Sequence, residues 1–132
     1  MWKLSNIALT MGSGALAAAI GLAASEPAAG RAHSPRPRPA PFVQCAACHS
    51  AEPGRNGVGP SLAGVAGRKA ASLPGFNYSA ALRNSGLTWD AANLDRWLTS
   101  PQRAVPGTRM PFAGIPDSAR RKEVVDYLMS LK

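Results

Sequence analysis

From Leu4 to Ser25 the chain runs without a charged residue and is rich in Ala, Gly and Leu, with Lys3 before it and Glu26 closing it. A basic start, an apolar middle and small residues at the end predict a secretory signal over residues 1–25, cut near Ala23-Ala24-Ser25 or Gly30-Arg31-Ala32. The run also approaches the ~20 residues that cross a bilayer, so an uncleaved anchor through residues 4–25 stands as the alternative. Two later stripes have helical period. Leu87, Ala91, Leu94, Trp97 and Leu98 recur at three- and four-residue steps, which predicts a helix that Thr88 caps and Pro101 ends. Val124, Tyr127, Leu128 and Leu131 follow the same spacing and predict a C-terminal helix started by Asp117 or Ser118. No segment alternates as a strand would, so the expected fold class is all-α.

Between the first run and the helices, Ser34-Pro-Arg-Pro-Arg-Pro-Ala-Pro41 alternates proline with small or basic residues. Proline lacks an N–H and fixes φ, so residues 26–41 are expected to be a stiff, extended linker. Residues 1–40 are expected to stand apart from the core, which leaves 42–132 as the folded domain. The full chain of 132 residues has 45% hydrophobic residues, too many for a disordered chain, and two cysteines, too few for a disulfide scaffold. Its size excludes a large multi-domain enzyme. A domain of about 100 residues is marginal on burial alone, so a bound prosthetic group would help it fold. Net charge is +8. The only basic run, Arg120-Arg121-Lys122, reads as a solvated helix face, and no aromatics are interleaved with it, so nucleic-acid binding is not expected.

The chemistry concentrates at Cys45-Ala-Ala-Cys48-His49. Residues i and i+3 of a helical turn share a face, so both thiols can reach the vinyl groups of one haem. His49, rotated about 100° from Cys48, can point at its iron. C-x-x-C-H is the attachment signal of c-type haem. A thioredoxin-like C-x-x-C wants a strand before it and a helix after it, whereas Pro39-Ala-Pro41 precedes and Gly54 and Gly57 follow. A structural zinc needs four ligands, and beyond Cys45, Cys48 and His49 only His33 in the linker is at hand. A disulfide across two residues also remains open. For a second axial ligand the candidates are His33 and four methionines. Met1 and Met11 lie in the exported run, and Met129 sits beside Leu128 on the last helix as a packing residue. Met110, in Pro106-Gly-Thr-Arg-Met-Pro-Phe112, has a proline on each side to present its thioether rigidly.

Further motifs follow in order: Gly57-Val-Gly-Pro60-Ser-Leu62, Gly64-Val-Ala-Gly-Arg68, Gly75-Phe-Asn-Tyr78-Ser-Ala-Ala-Leu82, Leu87-Thr-Trp89 and Pro106-Gly-Thr-Arg-Met110-Pro-Phe112-Ala-Gly114. Together with C-x-x-C-H, residues 42–132 resemble a class I c-type cytochrome of the mitochondrial and bacterial c2-like kind. The resemblance implies a small cytochrome c fold around one covalent haem c, with His49 and Met110 on the iron. It implies that the Pro60 carbonyl accepts the other imidazole N–H, and that Tyr78 and Trp89 hydrogen-bond a haem propionate which Arg68 neutralises. Thr108 would lie near Met110 and the propionate, Phe112 would shield the haem edge, and Trp97 would line the distal pocket. Trp89 and Phe112 could also be plain core aromatics. Two positions depart from the family pattern. Its opening helix, with a glycine and an aromatic, is blocked here by Pro35, Pro37, Pro39 and Pro41. Arg38 replaces the glycine, so Phe42 is expected to carry a shortened contact with Tyr127 and Leu128. Arg109 stands where a lysine is common, and a guanidinium does not replace an ammonium as a ligand.

The function so implied is one-electron transport without catalysis. Two protein ligands would fill both axial positions, and the chain shows no paired carboxylates and no nucleophile beside a base. The expected partners are a bc1-type reductase and an oxidase or other acceptor of a respiratory chain. Arg55, Arg103 and Arg109 are expected on a docking rim. The protein is expected to be a periplasmic monomer, or alternatively membrane-anchored and facing the periplasm. A haem-based sensor or weak peroxidase, with a labile Met110, is the alternative from another class. A C-x-x-C-H module without haem is the third.

Overall fold

The computed structural model describes residues 35–132. The signal or anchor, the start of the linker, His33, Met1 and Met11 lie outside the described residues. A 3₁₀ turn at Ala40–Phe42 runs into α1 (Val43–Ala46), followed by α2 (Ala80–Asn84), α3 (Ala91–Thr99), α4 (Pro101–Ala104) and α5 (Ser118–Met129). Among the described residues the only β pairing is one isolated antiparallel bridge between Lys69 and Thr88. The chain is all-α, as its periodicity predicts.

The stripe from Leu87 to Leu98 is real, but the helix begins later than Thr88. Asp90 is the cap, its carboxylate accepting the Asn93 N–H at 2.7 Å. Thr88 is taken up by the bridge to Lys69, and the Leu87 carbonyl by the Ala70 N–H at 2.8 Å. Leu94, Trp97 and Leu98 form the buried face of α3. Pro101 does more than stop that helix. Ser100 breaks the chain into an extended conformation, and Pro101 then opens α4, where its missing N–H leaves no donor unpaired. Asp117 caps α5 by accepting from the Ala119 and Arg120 N–H groups at 2.9 and 3.0 Å. These bonds, with the nearby Arg120 and Arg121 charges, hold its carboxyl below the usual range. Ser118 is the first helical residue.

Helix α5 lays Val124, Val125, Tyr127 and Leu128 into the core. Leu131, two residues past the helix, is also buried. Arg121 ties α5 to α3 with Nε 2.7 Å from Asp95 Oδ1, and its Nη1 donates to the Ile115 carbonyl at 2.8 Å. Its side chain is only 12% exposed, so the basic triplet is not wholly a solvated face: Arg121 turns inward between Arg120 and Lys122. The strand of chain that leads from α3 to α5 turns at Gly114, with φ +110°. A Cβ at that position would overlap the Thr99 carbonyl, and the close approach lets the Ile115 N–H reach Leu98 O at 2.7 Å.

The end of the proline-rich stretch does not stand apart from the core. The Arg36 N–H donates to Ser130 Oγ at 3.0 Å, and Arg36 Nη1 lies 3.5 Å from Asp126 Oδ2. Pro41 and Phe42 are buried. The Phe42 ring meets Tyr127 edge-on, centroids 4.8 Å apart at 69°, with the Arg38 guanidinium 5.7 Å above it. A helix is unavailable to this prolyl sequence, so an extended strap carries the contact with α5, centred on Phe42 as expected. Truncation of Phe42, 1% exposed, should therefore be expensive. Phe42→Ala is expected to lower the stability of the protein by about 3–5 kcal/mol, against less than about 1 kcal/mol for Arg36→Ala at the exposed ion pair, both measured by denaturant unfolding.

Candidate functional site

The turn after α1 keeps helical hydrogen bonding, with Cys48 N and His49 N donating to Cys45 O at 3.1 and 2.9 Å. The two cysteines thus lie one turn apart, and both are free thiols. Burial pushes the Cys45 thiol pKa up, with a further push from Cys48 and a backbone hydrogen bond opposing. The loop that follows folds back onto this turn. Gly59 N donates to Cys48 O at 2.9 Å, Leu62 N to Ser50 O at 2.8 Å, and Ser61 Oγ to Glu52 O at 2.7 Å. Asn56 Oδ1 accepts the Ser61 N–H at 2.9 Å.

This network sets the Pro60 carbonyl 2.7 Å from His49 Nδ1. A carbonyl can only accept, so Nδ1 must carry the hydrogen and Nε2 keeps its lone pair. Burial also lowers the His49 pKa, with Pro60 opposing, which favours the neutral ring. Glycine at 59 is a steric requirement: a Cβ would come within 2.6 Å of Nδ1 and 2.8 Å of Nε2. At Gly57 a Cβ would lie 2.8 Å from Cys48 O.

His49 faces a cavity of about 430 Å³. Every residue singled out for the site lines it: Cys45, Cys48, His49 and Pro60 from the first loop, Arg68 and Tyr78 from the middle, Trp89 and Trp97 around α3, and Thr108, Met110 and Phe112 after α4. Trp89 and Trp97 meet edge-on at 5.3 Å and are 8% and 6% exposed, so they are core aromatics and cavity wall at once. Arg68 is held by the Ala63 and Ser61 carbonyls at 2.8 and 3.0 Å. Its charge opposes the rise that burial imposes on the Tyr78 hydroxyl pKa. Met129 packs on the core without lining the cavity.

The rim differs in detail from expectation. Arg109 lies at the cavity and donates to the Asn77 carbonyl. Arg55 pairs with Glu52 at 2.6 Å, both side chains exposed, so much of its charge is offset. Arg103 is exposed but does not line the cavity. Val58, 79% exposed, adds an apolar patch at the edge. Asn56, Ser61 and Gln102 escaped the reading of the sequence. They act on backbone atoms; the polar character of Asn56 and Ser61 in a glycine- and proline-framed loop could have hinted at it, whereas Gln102 in α4 carried no such signal. Among the described residues no three His, Cys, Asp or Glu side chains converge on a metal-binding point.

Two free thiols, an imidazole with Nε2 available and a thioether share one largely apolar chamber, a donor set that fits a covalently held haem. The family model described as Cytochrome c matches residues 39–132. The chain belongs to the cytochrome c family. Cytochrome c2 of Rhodoblastus acidophilus is 54% identical over 92 residues, covering 69% of this chain and 86% of that protein. Cytochrome c2 iso-2 of Magnetospirillum molischianum is 51% identical over 94 residues, covering 71% of this chain and 97% of that one. The solved structure of cytochrome cH from Methylobacterium extorquens superposes with a TM-score of 0.63 at 48% identity, over 67% of this chain and 89% of the other. The fold is thus that of a small all-α cytochrome c, the cofactor is covalent haem c, and the protein is a haem-containing electron carrier. Crowding the imidazole should obstruct the site: Gly59→Ala is expected to reduce haem occupancy severalfold, read as the ratio of haem absorbance to protein mass after purification.

Proposed function

We propose that Cys45 and Cys48 hold the haem through thioether bonds, that His49 and Met110 are its two axial ligands, and that the protein passes single electrons between exported or membrane-bound redox partners without itself catalysing a reaction. One observation carries this reading: an imidazole oriented by Pro60 and a thioether framed by prolines line the same cavity. The bound group supplies a one-electron Fe(III)/Fe(II) couple.

The chain's own residues do the rest. Pro60 fixes the imidazole's orientation and raises its basicity. Met110 offers a soft sulfur, which favours Fe(II) and raises the potential. Arg68, Tyr78, Trp89 and Thr108 supply the charge and hydrogen bonds that buried propionates require. Phe112 and Trp97 exclude water. Arg109 and Val58 frame the entrance, where partners would make small, transient contacts that basic residues speed. The partners inferred are a bc1-type reductase on one side and an oxidase or other acceptor on the other, served by a monomer. Residues 1–25 act as signal or anchor, 26–41 as linker and 42–132 as the redox domain, with the strap from Arg36 resting on it. No helix among the described residues is long and apolar enough to cross a membrane. The preferred location is the periplasm, free of the membrane.

The ligand set is tested by substitution. Met110→Ala is expected to abolish the far-red methionine–iron charge-transfer band, admit exogenous ligands and lower the potential within the ~0.8 V range that axial ligands command. Met129→Ala should leave the spectrum alone. The reverse result would remove Met110 from the iron; absence of the band from the unsubstituted oxidised protein would favour the sensor or weak-peroxidase reading. Location is tested separately: the exported protein should begin after Ser25 or Ala32 and stay in the soluble fraction. Retention on membranes through a high-salt wash, with the N-terminus at Met1, would establish the anchor.

A further inference from the structure

The loop that carries Met110 has little structure of its own. It leaves α4 at Val105, passes Pro106 and Gly107, and has no helix until Ser118. Its peptide at Thr108 is nevertheless held on both sides. The Thr108 N–H donates to Val105 O at 3.1 Å. The Thr108 carbonyl accepts from Gln102 Nε2 at 2.9 Å. Thr108 itself is 7% exposed, and its Oγ1 lies 3.5 Å from the Met110 N–H. Gln102 is otherwise an exposed residue of a four-residue helix.

We propose that Gln102 is a positioning residue for the distal ligand: its side-chain amide clamps the Thr108 carbonyl and so holds the Met110 thioether against displacement. This rests on the reading of Met110 as axial ligand. The chemistry is specific to a donor at this position. The carbonyl two residues before the sulfur is fixed from outside the loop, by a side chain rooted in α4. Pro106 has no N–H to contribute, and Gly107 sits at φ +89°, a conformation open to glycine that adds no side chain to hold the loop. Loss of the clamp frees the Thr108 peptide to rotate, and Met110 follows through the backbone. Alanine at 102 forms helix at least as well as glutamine, so α4 does not itself suffer from the change.

The test uses the haem-loaded full chain and imidazole as the competing ligand of the ferric form. One solvent-accessible hydrogen bond contributes about 0.5–1.5 kcal/mol, so Gln102→Ala is expected to tighten imidazole binding about 2- to 12-fold and to weaken the methionine–iron band at intermediate imidazole. Gln102→Glu, of equal length but without a donor at neutral pH, should do the same. Gln102→Arg, which restores N–H donors and cannot ligate iron, should return affinity towards the starting value. Unchanged imidazole affinity in both donor-less variants, whether or not their unfolding midpoints move, overturns the proposal. So does failure of Gln102→Arg to restore affinity. Met110→Ala run in parallel separates the two readings. If it leaves the ferric spectrum unchanged, the ligand assignment fails. If it alters the spectrum while the Gln102 variants bind imidazole normally, only the clamp fails.

Discussion

The hydrogen bond between His49 Nδ1 and the Pro60 carbonyl, 2.7 Å long, is the constraint around which the site is organised. It decides which ring nitrogen is available, and it can form only because a chain segment doubles back on the C-x-x-C-H turn. That return explains otherwise unrelated residues. Gly57 and Gly59 leave room for backbone against backbone and backbone against imidazole. Asn56 and Ser61 replace the hydrogen bonds that a loop without helix or strand cannot make internally. Arg68 then anchors on the same loop through Ser61 O and Ala63 O, so the charge facing the cavity is set by the loop that sets the imidazole.

Around this loop the core is assembled from short pieces. Helix α3 turns Leu94, Trp97 and Leu98 to the chamber, and α5 packs on α3 while reaching the chamber through Leu128. Phe42 and Leu128 belong to both the interior and the cavity wall. Filling the chamber and folding the chain are therefore coupled, as expected of a domain of this size. The strap from Arg36 to Phe42 is a substitute for helix-on-helix packing. The Arg36 N–H is satisfied on Ser130 Oγ, which in turn donates to Tyr127 O at 2.6 Å, a last-turn carbonyl of α5 that also accepts the Ser130 N–H at 2.9 Å.

Much of this was legible in the sequence because spacing and side-chain chemistry carried it. The C-x-x-C-H turn, the Met110 loop and the polar residues assigned to a buried carboxylate all come to one cavity. What was not legible depended on competition between local alternatives. Thr88 and Asp90 are both good caps, and the choice of Asp90 follows from a long-range bridge that takes Thr88 out of reach. Pro101 looked like a terminator because a proline ends one helix as readily as it begins another. Arg121 looked like its exposed neighbours, and only the proximity of Asp95 and the Ile115 carbonyl turns it inward. The linker's docking was hidden for a related reason: proline forbids a helix but not a well-packed extended segment, and beyond Phe42 its seat on α5 rests on a backbone N–H to the Ser130 hydroxyl and an ion pair with Asp126, neither of which has a sequence signature.

The two faces of the chamber are built from different materials. On the imidazole side the critical contacts run from backbone to side chain, with glycine required at 59, where a Cβ would collide with the ring, and at 57, where it would meet the Cys48 carbonyl. On the thioether side the loop is fastened by single polar side chains, Gln102 of α4 donating to the Thr108 carbonyl and the loop's own Arg109 to the Asn77 carbonyl. Divergence within such a lineage is accordingly lopsided. One face is locked, because a side chain at 59 collides with the imidazole, while the other lies open to drift. A descendant needing a different working potential can reach it through point changes at peripheral positions, leaving the attachment turn and its return loop untouched.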